Sequence, residues 1–320
     1  MSTSRVLVCL LVLLYGLTCY NQVTAATLHF STPTPQKHIM TRAAGEFSRL
    51  LEEASGGRYQ VQVSPLNKFG DIPVVMSLLQ TGAIQFAFVP AGDLARRDDT
   101  FYAWFLPYLF DDVADAGTAA TSPAAREMLD RLRSHDLIGL GYVFPGQRHV
   151  LSRREIRSLQ DLRRKKVRAF PNEIFEMWWK EVGAAPTALP LPEIAPSLIT
   201  GVLDAVDVDL DIVMGQKYYK QAPCLGLSNH MSFPGVAVAS AKWWASLTPS
   251  DRMLVRQTFA SIQAWALAEQ VTAEVNTLEK LRSEGVKVYH IPAAADAADH
   301  VITAFVDRHP LIRAFYEQNR

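Results

Sequence analysis

Apolar positions along the chain fall into two alternating periods. Ile39, Met40, Ala43, Ala44, Phe47, Leu50, Leu51 and Ala54 recur at the i, i+4, i+7, i+11 spacing of one buried helical stripe, and Gly56-Gly57 follows as its stop. Tyr59, Val61 and Val63 then recur at every second residue, which predicts a half-buried strand. An earlier apolar run, Thr27 to Ser31, predicts a strand ahead of the first helix.

The same alternation continues. Helices are predicted over Ile72 to Thr81, stopped by Gly82, and over Ser122 to His135; strands over Ile84 to Val89 and Leu137 to Phe144. Ser158, with Asp161 at the third helical position, predicts the capped start of a short helix before a strand from Val167 to Phe170. Glu173 to Val182 and Pro192 to Thr200 read as helices ended by Gly183 and Gly201, and Leu203 to Val208 as a strand. Residues 250–283 contain few breakers and predict one long helix. Strands alternating with helices imply an α/β protein with mostly parallel sheets. Ser77-Leu78-Leu79-Gln80-Thr81-Gly82-Ala83-Ile84 is echoed by Ser197-Leu198-Ile199-Thr200-Gly201-Val202-Leu203 with one gap. Each is a helix end, a Gly cap and the start of a buried strand, which fits two lobes of related build.

The first 26 residues stand apart. Arg5 is their one charge, Val6 to Leu17 is apolar, and Val23-Thr24-Ala25 offers small residues for cleavage after Ala25 or Ala26. This is the pattern of a secretory signal peptide, and its apolar core is shorter than the ~20 residues of a spanning helix. Cleavage would remove Cys9 and Cys19 and leave Cys224, read as a buried thiol, so no internal disulfide is expected. Lipid attachment at Cys19 is the alternative, although Gly16-Leu17-Thr18 is a poor match to such a site.

Composition narrows the function. A chain of 320 residues with 49% apolar and 20% charged residues can bury a core in two lobes. Lys+Arg and Asp+Glu are 32 each, so the basic excess of a nucleic-acid binder is missing. No GxSxG, HExxH, P-loop or GxGxxG motif occurs, and the histidines show no metal-ligand pairing; neither metal nor cofactor is expected. A secreted hydrolase is therefore disfavoured.

Two clusters carry candidate chemistry. Arg168 lies inside Val167-Arg168-Ala169-Phe170, where a strand should bury its side chains. A buried guanidinium needs an anionic partner, and in a pocket that partner can be a ligand carboxylate held by the guanidinium fork. Asp207, Asp209 and Asp211 would share one face of a strand. They mimic the start of a calcium loop, but Ile212 replaces its Gly and Tyr218 its bidentate Glu. A solvated strand end or helix start, and polarity at a ligand site or hinge, are the other readings.

Taken in order, further segments resemble a family. Phe47 to Val63, Phe69-Gly70-Asp71, Leu79-Gln80-Thr81-Gly82, Leu106-Pro107-Tyr108-Leu109-Phe110, Gly146-Gln147-Arg148-His149, Leu159 to Arg168 and Thr200-Gly201-Val202-Leu203-Asp204 match landmarks of the DctP-like substrate-binding subunits of tripartite ATP-independent periplasmic (TRAP) transporters. The resemblance spans residues 27–320. It implies a two-lobe periplasmic-binding-protein-like fold with crossing segments and a long helix spanning both lobes. The expected lobes are residues 27–147 with about 234–270, and 148–233 with about 271–320.

The resemblance also implies a periplasmic receptor that performs no chemistry. It would capture an organic acid, close, and deliver it to membrane permease subunits, with an additional periplasmic partner protein in some systems. Arg168 falls on the family arginine that pairs with the ligand carboxylate, and Arg148 on a second family arginine, for which a structural pair with an acidic neighbour is the competing reading. Asp207 and Asp209 would orient the arginine or sense closure, and Phe170 would wall the cleft. Val208 stands where the family often has a ligand-touching Asn, and Ser77 where it has a Glu. Phe175, Met177, Trp178 and Trp179 read mostly as core.

Micromolar affinity needs ~8 kcal/mol, and one charge-assisted contact supplies ~1.5–3 kcal/mol. Burying ~200 Å² of apolar ligand would supply ~5 kcal/mol more before association costs. The expected ligand is thus a monocarboxylate with an apolar body. A C4-dicarboxylate or sugar acid is the alternative, and an envelope module binding a partner protein is the reading from another class.

Overall fold

The computed structural model describes residues 26–189 and 191–320. The signal segment and the lipid-anchor reading at Cys19 fall on residues outside the described ones. Two mixed sheets form the scaffold. The first holds β1 (Ala26–Ser31), β2 (Tyr59–Ser64), β3 (Phe86–Pro90), β4 (Leu137–Val143) and a late strand, Gly235–Ser240, in the order β2-β1-β3-late strand-β4. Its helices before the first crossing are α1 (Ile39–Ala54), α2 (Ile72–Thr81), α3 (Ala91–Leu94), α4 (Val113–Ala119) and α5 (Pro123–Arg131).

The second sheet is built from β5 (His149–Ser152), β6 (Lys166–Ala169), β7 (Ala185–Ala188), β8 (Ala205–Val208) and β9 (Cys224–Leu227), with α6 (Glu173–Glu181), α7 (Leu191–Thr200) and α8 (Leu210–Gly215) between them. The late strand, β10, returns the chain to the first sheet, followed by α9 (Ala241–Ser246) and α10 (Pro249–Ser283). The last strand, β11 (Lys287–His290), joins the edge of the second sheet in the order β11-β9-β5-β8-β6-β7, and α11 (Ala295–Val306) and α12 (Pro310–Asn319) close the chain.

The two sheets repeat one plan. β1 pairs in parallel with β2 and β3, and β6 likewise with β7 and β8. β10 runs antiparallel to both β3 and β4, and β5 runs antiparallel to both β8 and β9. Each sheet is therefore mostly parallel in strand direction, as the alternation predicts, with one strand, β10 in the first and β5 in the second, running against the rest. The reason is topological: β5 and β10 are each the first strand after a crossing, and each enters its sheet from the opposite end. The internal echo lies at equivalent places, α2 to β3 and α7 to β8. Both capping glycines adopt positive φ, 79° at Gly82 and 75° at Gly201. The strands begin two residues later than the apolar pattern predicts. Ile84 N–H still donates to Leu78 O (3.3 Å) and Leu203 N–H to Ser197 O (3.1 Å), so the helix ends claim those groups first.

Three strands of chain connect the lobes. The β4–β5 and β9–β10 crossings lie against each other, with Arg148 N–H donating to Met231 O at 2.7 Å and a bridge between Gln147 and Ser232. α10 is the third, with 35 residues, or about 50 Å at 1.5 Å per residue. It places Val255, Phe259, Ile262 and Ala266 in the first sheet's core and Leu281 in the second's. The expected second-lobe span runs to residue 320, but α12 packs Phe315 against Trp104 and Phe110, with centroids 4.6 and 6.1 Å apart, so the chain end returns to the first half. No helix among the described residues is long and apolar enough to cross a membrane.

Candidate functional site

A cleft of about 530 Å³ lies between the sheets. Its walls come from the carboxyl ends of the parallel strands: Pro33 and Thr34 after β1, Leu66 and Asn67 after β2, Pro90 closing β3, Phe170 and Pro171 after β6, and Val208 and Asp209 at the end of β8. Open α/β sheets place ligands there because strand ends and helix starts leave backbone and side chains free to converge. Arg148 and Phe233 reach the cleft from the two crossings.

Arg148 is buried and fully engaged. Its Nε donates to Asp207 Oδ1 at 2.5 Å, Nη2 to the Asp207 carbonyl, and Nη1 to Asp209 Oδ2 at 3.3 Å. Its guanidinium carbon lies 4.7 Å from the Phe233 ring centroid. Asp207 also accepts Trp179 Nε1–H at 3.0 Å and has His230 Nε2 at 3.5 Å. Burial opposes its charge, but Arg148 and these donors hold its carboxyl well below the usual carboxylate range. His149, behind them, is pushed down to about 3 by burial, with His230 and Arg148 acting in the same direction, and is neutral at pH 7.

Arg168 is different. It is 3% exposed, on β6, and has no carboxylate within 4 Å among the described residues. Nε donates to Leu189 O at 2.9 Å, and Nη1 is 3.5 Å from Asp207 O. Burial, with Arg148 next, pushes its guanidinium down to about 10, so it remains charged at pH 7. This cation lines the cleft without an anion to match it.

The lobes touch on both sides of this cavity. On one side Ile39 N–H donates to Asp211 Oδ2 (3.2 Å), and His38 Nε2 lies 3.9 Å from Asp209 Oδ1. On the other, Asn172 Nδ2 donates to Gly92 O at 2.6 Å. A two-lobe cavity with a charged anchor and closing contacts at both rims is built to engulf a small solute.

Residues 30–304 match the family model for bacterial extracellular solute-binding protein, family 7 (DctP). The chain belongs to this family, the substrate-binding subunits of TRAP transporters. Family 7 proteins are receptors, not enzymes. The chain is 25% identical over 250 residues to the C4-dicarboxylate-binding periplasmic protein DctP of Shewanella loihica, covering 78% of this chain and 74% of that one. Its fold superposes with TM-score 0.85 on a TRAP periplasmic solute-binding protein of Xanthobacter autotrophicus with bound β-D-galacturonate, at 24% identity and 91% and 98% coverage. The sugar acid-binding protein DctPAm of Advenella mimigardefordensis, in complex with galactonate, gives TM-score 0.85 at 24% identity and 92% and 97% coverage.

Within this family-7 cleft, Arg168, Arg148, Phe170, Val208 and Asp209 all line the cavity. Two other expected site residues do not. Asp207 is fully buried beneath the wall, where it serves Arg148, because successive residues of a strand point to opposite faces and Val208 takes the one toward the cavity. Ser77 is exposed on α2 and donates to Pro73 O at 3.1 Å, since the buried stripe of that helix runs through Val75, Met76 and Leu79. The three aspartates do not share a strand face either. β8 ends at Val208, and Asp209 caps α8 by accepting Ile212 N–H at 2.9 Å. The acids orient Arg148 rather than Arg168.

Phe175, Trp178 and Trp179 are core, as their spacing implied, though Trp179 also donates to Asp207. His38, Asn67, Asp71, Asp93, Arg96 and Gln216 also line the cleft. Sequence reasoning missed them because they sit in loops, in the one-turn α3 or at helix termini, where no periodicity marks a facing direction. Asp71 was discoverable as the N-cap of α2, since it precedes Ile72-Pro73.

Proposed function

We propose that this receptor captures an organic acid with one carboxylate and a largely apolar body, closes on it, and delivers it to the permease subunits of a TRAP transporter. The observation that carries the reading is Arg168, a buried, charged guanidinium lining the cleft with no carboxylate of its own. Leaving such a charge uncompensated costs several kcal/mol, so a ligand carboxylate has the most to gain at this place. Phe170, Val208, Ile212, Phe233 and several prolines supply the apolar wall.

Export by the segment 1–26 into the periplasm, or tethering at Cys19, completes the reading, with lobes divided at the two crossings. A separate envelope partner is compatible with it. The sugar acids and C4-dicarboxylates named for the relatives above support a more polar ligand, and Asn67 and Gln216 in the cleft would suit one. Native mass spectrometry of protein purified without added ligand separates these. Recovery of an acid with a hydrocarbon or aromatic body is expected. Recovery of a C4-dicarboxylate or sugar acid sinks the apolar-body assignment, and recovery of a neutral solute sinks the anchoring by Arg168.

A further inference from the structure

Three carboxylates line the cleft, and two of them are occupied. Asp71 Oδ1 accepts Val74 N–H at 3.3 Å, and Asp209 caps α8 and pairs with Arg148. Asp93 is the exception: among the described residues its carboxylate has no hydrogen bond and no ion pair within 4 Å, although it is half-buried. The nearest cation of its own helix region, Arg96, gives its Nη2 to Pro171 O instead. Burial pushes the Asp93 carboxyl up to about 6, with Arg96 acting against this and Asp71 with it.

Asp93 comes from α3, which follows β3 of the first sheet, and Arg168 from β6 of the second, so the cavity carries an unpaired anion from one lobe and an unpaired cation from the other. Closure fixes the position of Asp93. A Cβ on its neighbour Gly92 would come within 2.6 Å of Phe170 Cε1, and the Gly92 carbonyl is held by Asn172. The turn bearing Asp93 is thereby seated on the strand end that bears Phe170, two residues beyond Arg168. Leaving both charges desolvated is costly, and one ligand with opposite charges at its ends relieves both costs at once.

We infer that Asp93 selects the ligand's far end, and that the receptor takes acids carrying a hydrogen-bond-donating cation, an ammonium or amidinium, opposite their carboxylate. This rests on the reading of Arg168 as the carboxylate anchor. Phe170 and Val208 then cover the apolar body between the two charges.

Calorimetry of the intact chain with two probe series tests it: the ω-amino acids from 4-aminobutanoate to 8-aminooctanoate, and the unsubstituted acids of the same lengths. At one or more lengths the amino acid should bind at least tenfold more tightly than its parent acid. Asp93→Asn should abolish that ratio while keeping the parent acid's Kd within about threefold. A wild-type preference for the parent acids, an unchanged ratio in Asp93→Asn, or binding of neither series overturns the inference. Arg168→Ala is the separate arm. If it binds both series like wild type, the anchor reading fails, whatever Asp93→Asn does.

Discussion

Arg148 and Asp207 form a side-chain ion pair, Nε to Oδ1 at 2.5 Å, with both groups buried. The two arginines of the cleft therefore differ in kind: one is neutralised by its own protein, and the other, Arg168, is held open. Geometry separates a paired guanidinium from an open one where residue type could not.

Asp207→Asn should destabilise the fold by about 3–5 kcal/mol, because Arg148 would stay buried without its main anion. Urea unfolding measures this. A loss below about 1 kcal/mol, the value of an exposed pair, would refute the buried-pair account. The sign with pH follows from the depressed Asp207 carboxyl. Its contribution is complete above the ordinary value of 3.8 and is lost as pH falls below that through the folded value.

Arg168→Ala should weaken acid binding at least tenfold, as expected for one charge-assisted contact of ~1.5–3 kcal/mol. It should leave the melting temperature near that of wild type, because no buried carboxylate depends on it. Wild-type affinity in calorimetry would remove Arg168 from the site.

Gly92→Ala should raise the Kd of any ligand that needs closure by about tenfold, in line with ~1–3 kcal/mol for forced overpacking. The cause is the 2.6 Å approach of the new Cβ to Phe170. Small-angle scattering should show a liganded form more open than wild type. An unchanged Kd and an equally compact liganded form would show that this rim contact is not part of closure.

Glu274 on α10 accepts Gln147 N–H at 3.1 Å, and burial, with Asp112, Asp211 and Asp209 nearby, pushes its carboxyl up to about 7. The folded chain then holds a proton that the unfolded chain has released. This group's contribution is greatest below the ordinary 4.5 and is lost as pH rises to about 7, by at most about 1.4 kcal/mol per pH unit. Glu274→Gln keeps the acceptor and removes the titration. Its stability relative to wild type should rise between pH 4.5 and 7 and level off above. A flat difference across that window would show that Glu274 titrates normally.

Much of the fold was legible because burial imposes periodicity. α2 begins and ends where the pattern places it, at Ile72 and Thr81, and Ser158 and Asp161 form the anticipated capping box. The short strands β7, β9 and β11, with four residues each, are too brief to show an alternation, and their pairing comes from neighbours distant in sequence. Arg168 could be singled out as a charge in a buried strand. That Ser77 faces solvent while Val75 and Met76 face the core was equally open to periodicity, and the family pattern misdirected it.

By itself the sequence determined the α/β class, the two-lobe plan, the family and the arginine most in need of an anion. These follow from local propensity, hydrophobic period and motif order, all of which are written along one chain. The tertiary structure alone decided which arginine is already paired, which strands run backwards, and that Asp93 and Arg168 line the same cleft. Those are relations between segments far apart in the chain, 59 residues for Arg148 and Asp207, and only packing brings such groups within a few ångströms.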